Sequence, residues 1–210
     1  MPYIPPQNRP AIDQCAQALA ERIALRLEKE TITAAVSELY RDSFMKIARA
    51  IVALETGRTQ AIAVGEERAL AESIVVAAKS YNQPGGFLGE LNYALTRLIQ
   101  LVPYCMYKKG LWKEALRYWL YAETVGALVR TSYETHSAFG NDWIANGLAG
   151  VFEDVKDEYK RRVNTAYEAL QIRKSGDCYE KSPFHTQLVE FETAGVKGWI
   201  EIMLPQLDPG

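Results

Sequence analysis

Polar side chains at helical spacing interrupt otherwise apolar segments of this chain, and they are the residues best suited to chemistry. Three such groups lie at residues 89–93, 153–162 and 176–179. Carboxylates in these positions can bind cations, whereas guanidinium groups bind phosphates and carboxylates. None of the groups has a spacing that is specific for one known reaction. The sequence therefore predicts where function resides without defining a reaction.

An acid and a guanidinium group are predicted on the buried side of the longest helix. Arg162 falls within the apolar stripe of that helix, and Glu158 lies one turn earlier at its edge. Because a charge directed into a bundle is costly unless it is paired, we expect these two residues to form an ion pair. Such a pair either helps to specify how the helices pack or forms part of a ligand pocket. The stripe itself repeats with the helical period and comprises Ile144, Leu148, Val151, Val155, Tyr159, Val163, Ala166 and Leu170.

A helix that follows the glycine pair at residues 85–86 supplies the rest of the predicted pocket. Asn92 lies at the border of the apolar face of this helix, where its amide either pairs with a neighbouring backbone group or contacts a ligand. We expect Asn92, Glu158 and Arg162 to converge on a small anion, with Arg97 as a further charge donor. The free amides at the start of the helix would add to this anion site.

A magnesium site is the alternative use of the acidic residues. Glu153 and Asp157 are one turn apart and point away from the apolar stripe, an arrangement that is slightly unfavourable unless a cation or basic surface compensates it. Glu90 is predicted on an outward stripe with Tyr93 and Arg97, from which it could complete the set of ligands. The competing interpretation is a solvated face on which the two acids are neutralised by Lys156, Lys160 and Arg161.

Composition excludes several classes of protein. The chain has 210 residues, 48% of them hydrophobic, and a net charge of -2, which predicts a globular domain with a sizeable core. Without a surplus of positive charge, a dedicated nucleic-acid or membrane-surface role is disfavoured. Three widely spaced cysteines indicate neither a zinc site nor a disulfide framework. The first residues lack the layout of a signal peptide, and no apolar run approaches the roughly 20 residues of a membrane span. We therefore expect a cytoplasmic protein.

Basic and aromatic residues are interleaved between residues 79 and 121. Such a composition can stack and neutralise a nucleotide or a single strand. The favoured interpretation is that the aromatic residues form a core face while the lysines are solvated. The aromatic residues concerned are Tyr104, Tyr107, Trp112, Tyr118, Trp119 and Tyr121.

Apolar residues recur at spacings of three and four between residues 12 and 170, which predicts an all-α fold. We expect a bundle of about six helices within residues 1–180, in which residues 31–81 form a helical hairpin. Short apolar stretches flanked by glycine and proline predict an irregular or β-hairpin C-terminal arm at residues 181–210. The predicted helices begin near Pro10, Thr31, Thr59, Leu88, Leu111 and Asp142, and the fourth ends near Pro103.

The same polar groups resemble the motifs of an uncharacterised family of small bacterial and phage proteins. The most specific match is Gly-Glu-Leu-Asn-Tyr-Ala-Leu-Thr-Arg at residues 89–97, and further matches lie at 150–162 and 176–179. The resemblance covers roughly half of the chain and implies that residues 31–81 are an insertion and the tail an extension. It implies a family of unknown activity, so it adds residues without adding a reaction.

Three functional hypotheses follow. The first is an oligomeric protein that binds a small anionic or nucleotide-like ligand through Asn92, Arg97, Glu158 and Arg162. The second is a magnesium-dependent nucleotide pyrophosphohydrolase of all-α type that uses Glu90, Glu153 and Asp157, although the double-acid helix typical of those enzymes is absent. The third is a structural module that binds other proteins through surface aromatic residues.

Overall fold

The computed structural model describes residues 4–29, 32–57, 65–81, 85–111, 114–140, 143–165, 169 and 172–174, and in these residues the fold is all-α. A 3-10 turn at Pro6–Asn8 precedes the first helix, and another at Lys79–Tyr81 follows the third. A π turn at Lys160–Asn164 follows the sixth. The six described α-helices are α1 (Arg9–Lys29), α2 (Ile32–Thr56), α3 (Glu66–Ala78), α4 (Phe87–Lys108), α5 (Glu114–Phe139) and α6 (Trp143–Tyr159).

The apolar stripes of the helices form one hydrophobic core. On α1, the buried residues Ile12, Ala16, Leu19 and Ile23 recur at spacings of four, three and four. α2 ends at Gly57, whose φ of 68 is the left-handed conformation that glycine adopts without steric cost. These features confirm the all-α bundle that the sequence predicts.

Helix packing places α1 most extensively against α4, while α2 packs against α3 and α5, and α6 packs against α5 and α4. The starts of α4 and α6 approach closely, since a Cβ atom added at Gly147 would lie 2.9 Å from Leu88 Cδ1. Tyr40 and Phe44 of α2 stack, and Phe44 packs on Phe152 of α6, with ring centroids 5.5 and 6.1 Å apart respectively. The two helices of the predicted hairpin, α2 and α3, thus contribute to the same core as the rest.

The end of one helix differs from the prediction, and a π turn follows another. α4 continues through Pro103 to Lys108, because Cys105 and Met106 extend its buried face and this packing outweighs the lost backbone hydrogen bond. α6 ends at Tyr159, and the π turn that follows changes the rotation per residue. Arg162 therefore leaves the apolar stripe and is exposed.

The chain divides into two compact units, Met1–Thr165 and Ala166–Gly210. The first contains the six α-helices. In the second, the described residues are Ala169 and residues 172–174, all of which are helical. The predicted C-terminal arm at residues 181–210 lies outside the described residues. Among the described helices, none is both long enough and apolar enough to cross a membrane.

We expect the phenol of Tyr159 to make stability fall at alkaline pH. Burial is the main cause that raises the pKa of Tyr159 to about 12, and Tyr121 adds to it. In the unfolded chain the pKa of this phenol is about 10. Its contribution to the free energy of unfolding is therefore complete below pH 10 and is lost as the pH rises to 12. Chemical unfolding at several pH values measures the loss in free energy of unfolding between pH 10 and pH 12. Tyr159→Phe will make this loss smaller by on the order of 2 kcal/mol. Tyr133→Phe, at a site that is 78% exposed, is the control and will leave the decline unchanged.

Candidate functional site

Polar residues from two helices and two 3-10 turns meet between α1 and α4, and we call this cluster the α1–α4 seam. Residues 90, 93 and 97 on α4 have spacings of three and four, so they share one face. Residues 9 and 13 lie one turn apart at the start of α1. The seam consists of Asn8, Arg9, Asp13, Tyr81, Glu90, Tyr93 and Arg97.

Glu90 is the most unusual residue of the seam, because its carboxylate is fully buried and, among the residues that the structure describes, has no basic partner within hydrogen-bond distance. Its Oε1 accepts a hydrogen bond of 2.5 Å from the Tyr81 hydroxyl and one of 3.3 Å from Asn8 Nδ2. Its Oε2 is buried and accepts none. The prediction that Glu90 faces outward was wrong, since the 3-10 turn before α1 packs over this face of α4. A position in the first turn of α4 favours a negative charge through the helix dipole.

Tyr93, Arg97 and Asp13 form the outer part of the seam. The Tyr93 hydroxyl donates to both carboxylate oxygens of Asp13 at 3.0 Å, and Arg97 Nε donates to Asp13 Oδ1 at 2.9 Å. The guanidinium carbon of Arg9 lies 6.0 Å from the centre of the Tyr93 ring. Burial first, and then the bond to Asp13, raise the pKa of Tyr93. Two guanidinium groups and one ring are thus held in place at a half-exposed surface.

The Tyr81 hydroxyl is a hydrogen-bond donor to Glu90. Burial and the hydrogen bond to Glu90 raise the pKa of Tyr81 to about 12. The phenol therefore remains a donor throughout the physiological range. Because Tyr81 and Asn8 both donate to Oε1, the buried Oε2 of Glu90 is left without a donor among the described residues.

The four residues that were expected to form one anion pocket lie in three places. Asn92 is buried and accepts a hydrogen bond from Thr96 Oγ1 at 3.4 Å. Glu158 bonds to Arg161 and Arg162, so the expected i to i+4 contact with Arg162 is present, and these bonds lower the pKa of Glu158. Arg97 belongs instead to the seam.

The ends of the helices separate these residues. Leu88 of α4 lies against Gly147 of α6, and Asn92 follows Leu88 by one turn, about 6 Å along the axis. Glu158 follows Gly147 by eleven residues, about 16 Å along its own axis. Asn92 and Glu158 are therefore at different levels of the bundle.

The three acids that were expected to hold magnesium do not form one cluster. Glu90 is bonded to Tyr81 and Asn8, whereas Glu153 pairs with Lys156, which also lies 3.8 Å from Asp157. In the part of the chain that the structure describes, no group of three or more His, Cys, Asp or Glu side chains is arranged to hold a metal ion.

The basic and aromatic stretch is partly exposed, contrary to the favoured interpretation. Tyr104 and Tyr107, near the end of α4, are exposed rather than part of the core. The Lys108 ammonium lies 4.7 Å from the centre of the Tyr104 ring. Tyr121 does pack against the core and stacks on Tyr159.

Sequence reasoning missed Asn8, Arg9, Asp13 and Tyr81 as site residues. One signal was available, since positions 9 and 13 share a face at the start of a helix and position 10 carries a proline suited to a first turn. The contact of Asn8 with Glu90 spans 82 residues of sequence and that of Asp13 with Tyr93 spans 80, which no local pattern reveals. Tyr81 lies only nine residues before Glu90.

The fold and the seam define an all-α bundle whose candidate site is polar and lies between two helices. The chain belongs to the family described as Domain of unknown function (DUF6899), whose model matches residues 1–178. No curated protein and no solved structure matches the chain. The matched residues include 31–81, so the assignment of these residues as an insertion stays a prediction, as does a bacterial or phage origin.

Proposed function

We propose that this protein binds a small anionic, nucleotide-like ligand in the α1–α4 seam. The observation that supports this most is the buried Oε2 of Glu90, which has no hydrogen-bond partner. An unsatisfied buried acceptor costs about 1 to 3 kcal/mol, and more when it is charged. A ligand that carries an N–H or O–H group would remove that cost on binding.

The outer part of the seam supplies the complementary chemistry for an anion. The Arg9 guanidinium lies near the Tyr93 ring and donates to Ile4 O, and Arg97 binds the same Asp13 carboxylate as the Tyr93 hydroxyl. Each guanidinium group has five N–H donors. Arg97 uses its Nε for Asp13 and points NH1 at Gln100 Oε1 over 3.4 Å. The Arg97 side chain is 36% exposed. A phosphate or carboxylate would bind these donors with charge-assisted hydrogen bonds.

Dimensions favour a ligand of nucleotide size. Glu90 and Arg97 are seven residues apart on one face of α4, which corresponds to about 10 Å. A ligand that reaches both ends would place a donor-bearing group near Glu90 and an anionic group near Arg97. Tyr93 lies between them, where its ring offers a face for stacking. Magnesium would accompany the ligand as its counterion. The free thiols of Cys15 and Cys105 are compatible with a reducing cytoplasm as its compartment.

Thermal unfolding with a panel of ligands tests this proposal. Inorganic phosphate and nucleoside mono-, di- and triphosphates are each added with and without magnesium. A ligand at 100 times its dissociation constant will stabilise the protein by about 2.7 kcal/mol. Arg97→Gln will weaken the binding of that ligand about 10-fold to 100-fold, because it removes charge-assisted hydrogen bonds.

Arg68→Gln is the matched control. Arg68 forms an ion pair of 2.7 Å with Glu72 on α3 and is exposed to a similar extent as Arg97. It lies outside the seam, so the same substitution will leave the affinity unchanged. The proposal fails if no compound of the panel stabilises the protein, or if the two variants lose affinity equally.

A further inference from the structure

Further polar and aromatic residues continue the α1–α4 seam along α4. After residue 93, the positions 97, 100, 104 and 107 follow at spacings of four and three, so they lie on one side of the helix. None of these residues is buried, whereas the opposite side of α4 belongs to the core. We call this side the α4 stripe, and it consists of Tyr93, Arg97, Gln100, Tyr104, Tyr107 and Lys108.

Helix α1 lies beside the stripe and runs parallel to α4. The contacts between the two helices advance together, from Asp13 with Arg97 to Gln17 with Cys105. Arg97 NH1 donates to Gln100 Oε1 at 3.4 Å, which connects the seam to the next turn of the stripe. The stripe therefore leads from the seam toward the C-terminal end of α4.

Two tyrosines and a lysine at the far end of the stripe are open to solvent. Tyr104 is 49% exposed and Tyr107 is 66% exposed. The Lys108 ammonium lies 4.7 Å from the centre of the Tyr104 ring. Exposed rings beside cations are the combination with which proteins bind single-stranded nucleic acid, because bases stack on the rings while phosphates pair with the cations.

We propose that the seam and the α4 stripe together bind a short single-stranded oligonucleotide, whose first nucleotide is the ligand of the seam. This inference rests on the function proposed above. Residues 97 and 108 are eleven positions apart, which corresponds to about 16 Å along α4. Because the seam has the length of about one nucleotide, the stripe adds room for a few more.

The far end of the stripe carries positive charge, although the chain as a whole has a net charge of -2. Lys108 and Lys109 are both exposed there. α1 contributes one acid at this level, Glu21, whose carboxylate accepts a hydrogen bond of 2.6 Å from Gln17. So few cations neutralise only a few phosphates, and binding will depend weakly on salt. The surface is therefore suited to a short strand rather than to a long duplex.

Fluorescence anisotropy with labelled oligothymidylate and oligouridylate tests this inference on the full chain. Strands of two, four and eight nucleotides are compared with the mononucleotides, whose affinities are measured by competition. We expect the affinity for at least one of the two strands to rise with length up to about four nucleotides and then to level off. That length is the short end of the site sizes known for single-strand-binding folds.

Substitutions separate the stripe from the seam. Tyr104→Ala will weaken the binding of the four-nucleotide strand about 10-fold, because it removes a stacking ring, and will leave the affinity for mononucleotides unchanged. Arg97→Gln will weaken the binding of both, since this residue belongs to the seam. Lys108→Gln will lower the slope of log affinity against log salt concentration by about 0.7.

Tyr133→Ala and Lys46→Gln are the matched controls. Tyr133 of α5 is 78% exposed, and the Lys46 side chain of α2 is 41% exposed. Both residues lie outside the stripe, so these variants will change neither the affinity for the strand nor its salt dependence. All the substituted residues are on the surface, and every variant will keep its helical circular dichroism.

These measurements also separate the inference from the function on which it rests. If mononucleotides bind and longer strands bind no more tightly, the α4 stripe has no such role and the seam keeps its ligand. If neither mononucleotides nor strands bind, both proposals fail. Equal losses for Tyr104→Ala and Tyr133→Ala overturn the inference. Equal affinity for a polyglutamate peptide of the same charge overturns it too, because the stripe then recognises charge without recognising bases.

Discussion

Replacing Arg22 by methionine will lower the free energy of unfolding by about 3 kcal/mol. Arg22 of α1 pairs with Glu67 of α3, whose side chain is only 2% exposed. Ser43 of α2 donates to the same carboxylate at 3.0 Å, so this contact joins three helices. Arg22 Nε also lies 3.3 Å from Glu66, although it is not aligned for a hydrogen bond. Without Arg22, a buried negative charge keeps only one hydroxyl donor.

Chemical unfolding of three variants separates this effect from the loss of a surface contact. Arg68→Met breaks an exposed ion pair of 2.7 Å on α3 and will cost less than about 1 kcal/mol. Arg22→Met combined with Glu67→Met removes both charges and will recover most of the lost stability, because two apolar side chains can fill the space. Equal losses for Arg22→Met and Arg68→Met would show that the buried pair has no special role.

The fold was largely predictable because helical periodicity is a local property of the sequence. The stripe of α1 and the end of α2 at Gly57 follow from spacing and from one glycine conformation. The end of α4 did not follow, since Cys105 and Met106 are buried by other helices and carry the helix past Pro103. Helix ends that depend on tertiary packing are not encoded by local signals.

The candidate site was predictable only in part. Arg97 was identified from its neighbours in the motif, and the contact between Glu158 and Arg162 was deduced from helical spacing. Glu90 was assigned to the wrong side of its helix, because nothing local shows that the turn before α1 covers it. Because polar residues lie on both edges of the apolar stripe of α4, the sequence does not show which edge is buried. The packing of the distant turn before α1 determines it.

Replacing Glu90 by methionine will raise the stability of the ligand-free protein by about 1 to 3 kcal/mol and weaken ligand binding at least 10-fold. Methionine is unbranched and can fill the space of the glutamate side chain. The carboxylate that it replaces is fully buried and has one oxygen without a partner. Asn8 and Tyr81 are partly exposed, so water can satisfy the donors that they lose. A gain of this size corresponds to about 2 to 4 °C in melting temperature per kcal/mol.

Glu67→Met provides the comparison that makes this result interpretable. Glu67 is a second buried glutamate, but it accepts from Arg22 and Ser43. Its loss will lower the stability by about 2 kcal/mol, because it deprives two groups of their shared acceptor. Opposite signs for the two substitutions would mean that Glu67 serves the fold and Glu90 serves a ligand. If Glu90→Met instead destabilises the protein as much as Glu67→Met and leaves ligand affinity intact, Glu90 is a structural residue. A gain in stability on removal of the Glu90 carboxylate, together with weaker ligand binding, would support the proposal that the seam binds a ligand.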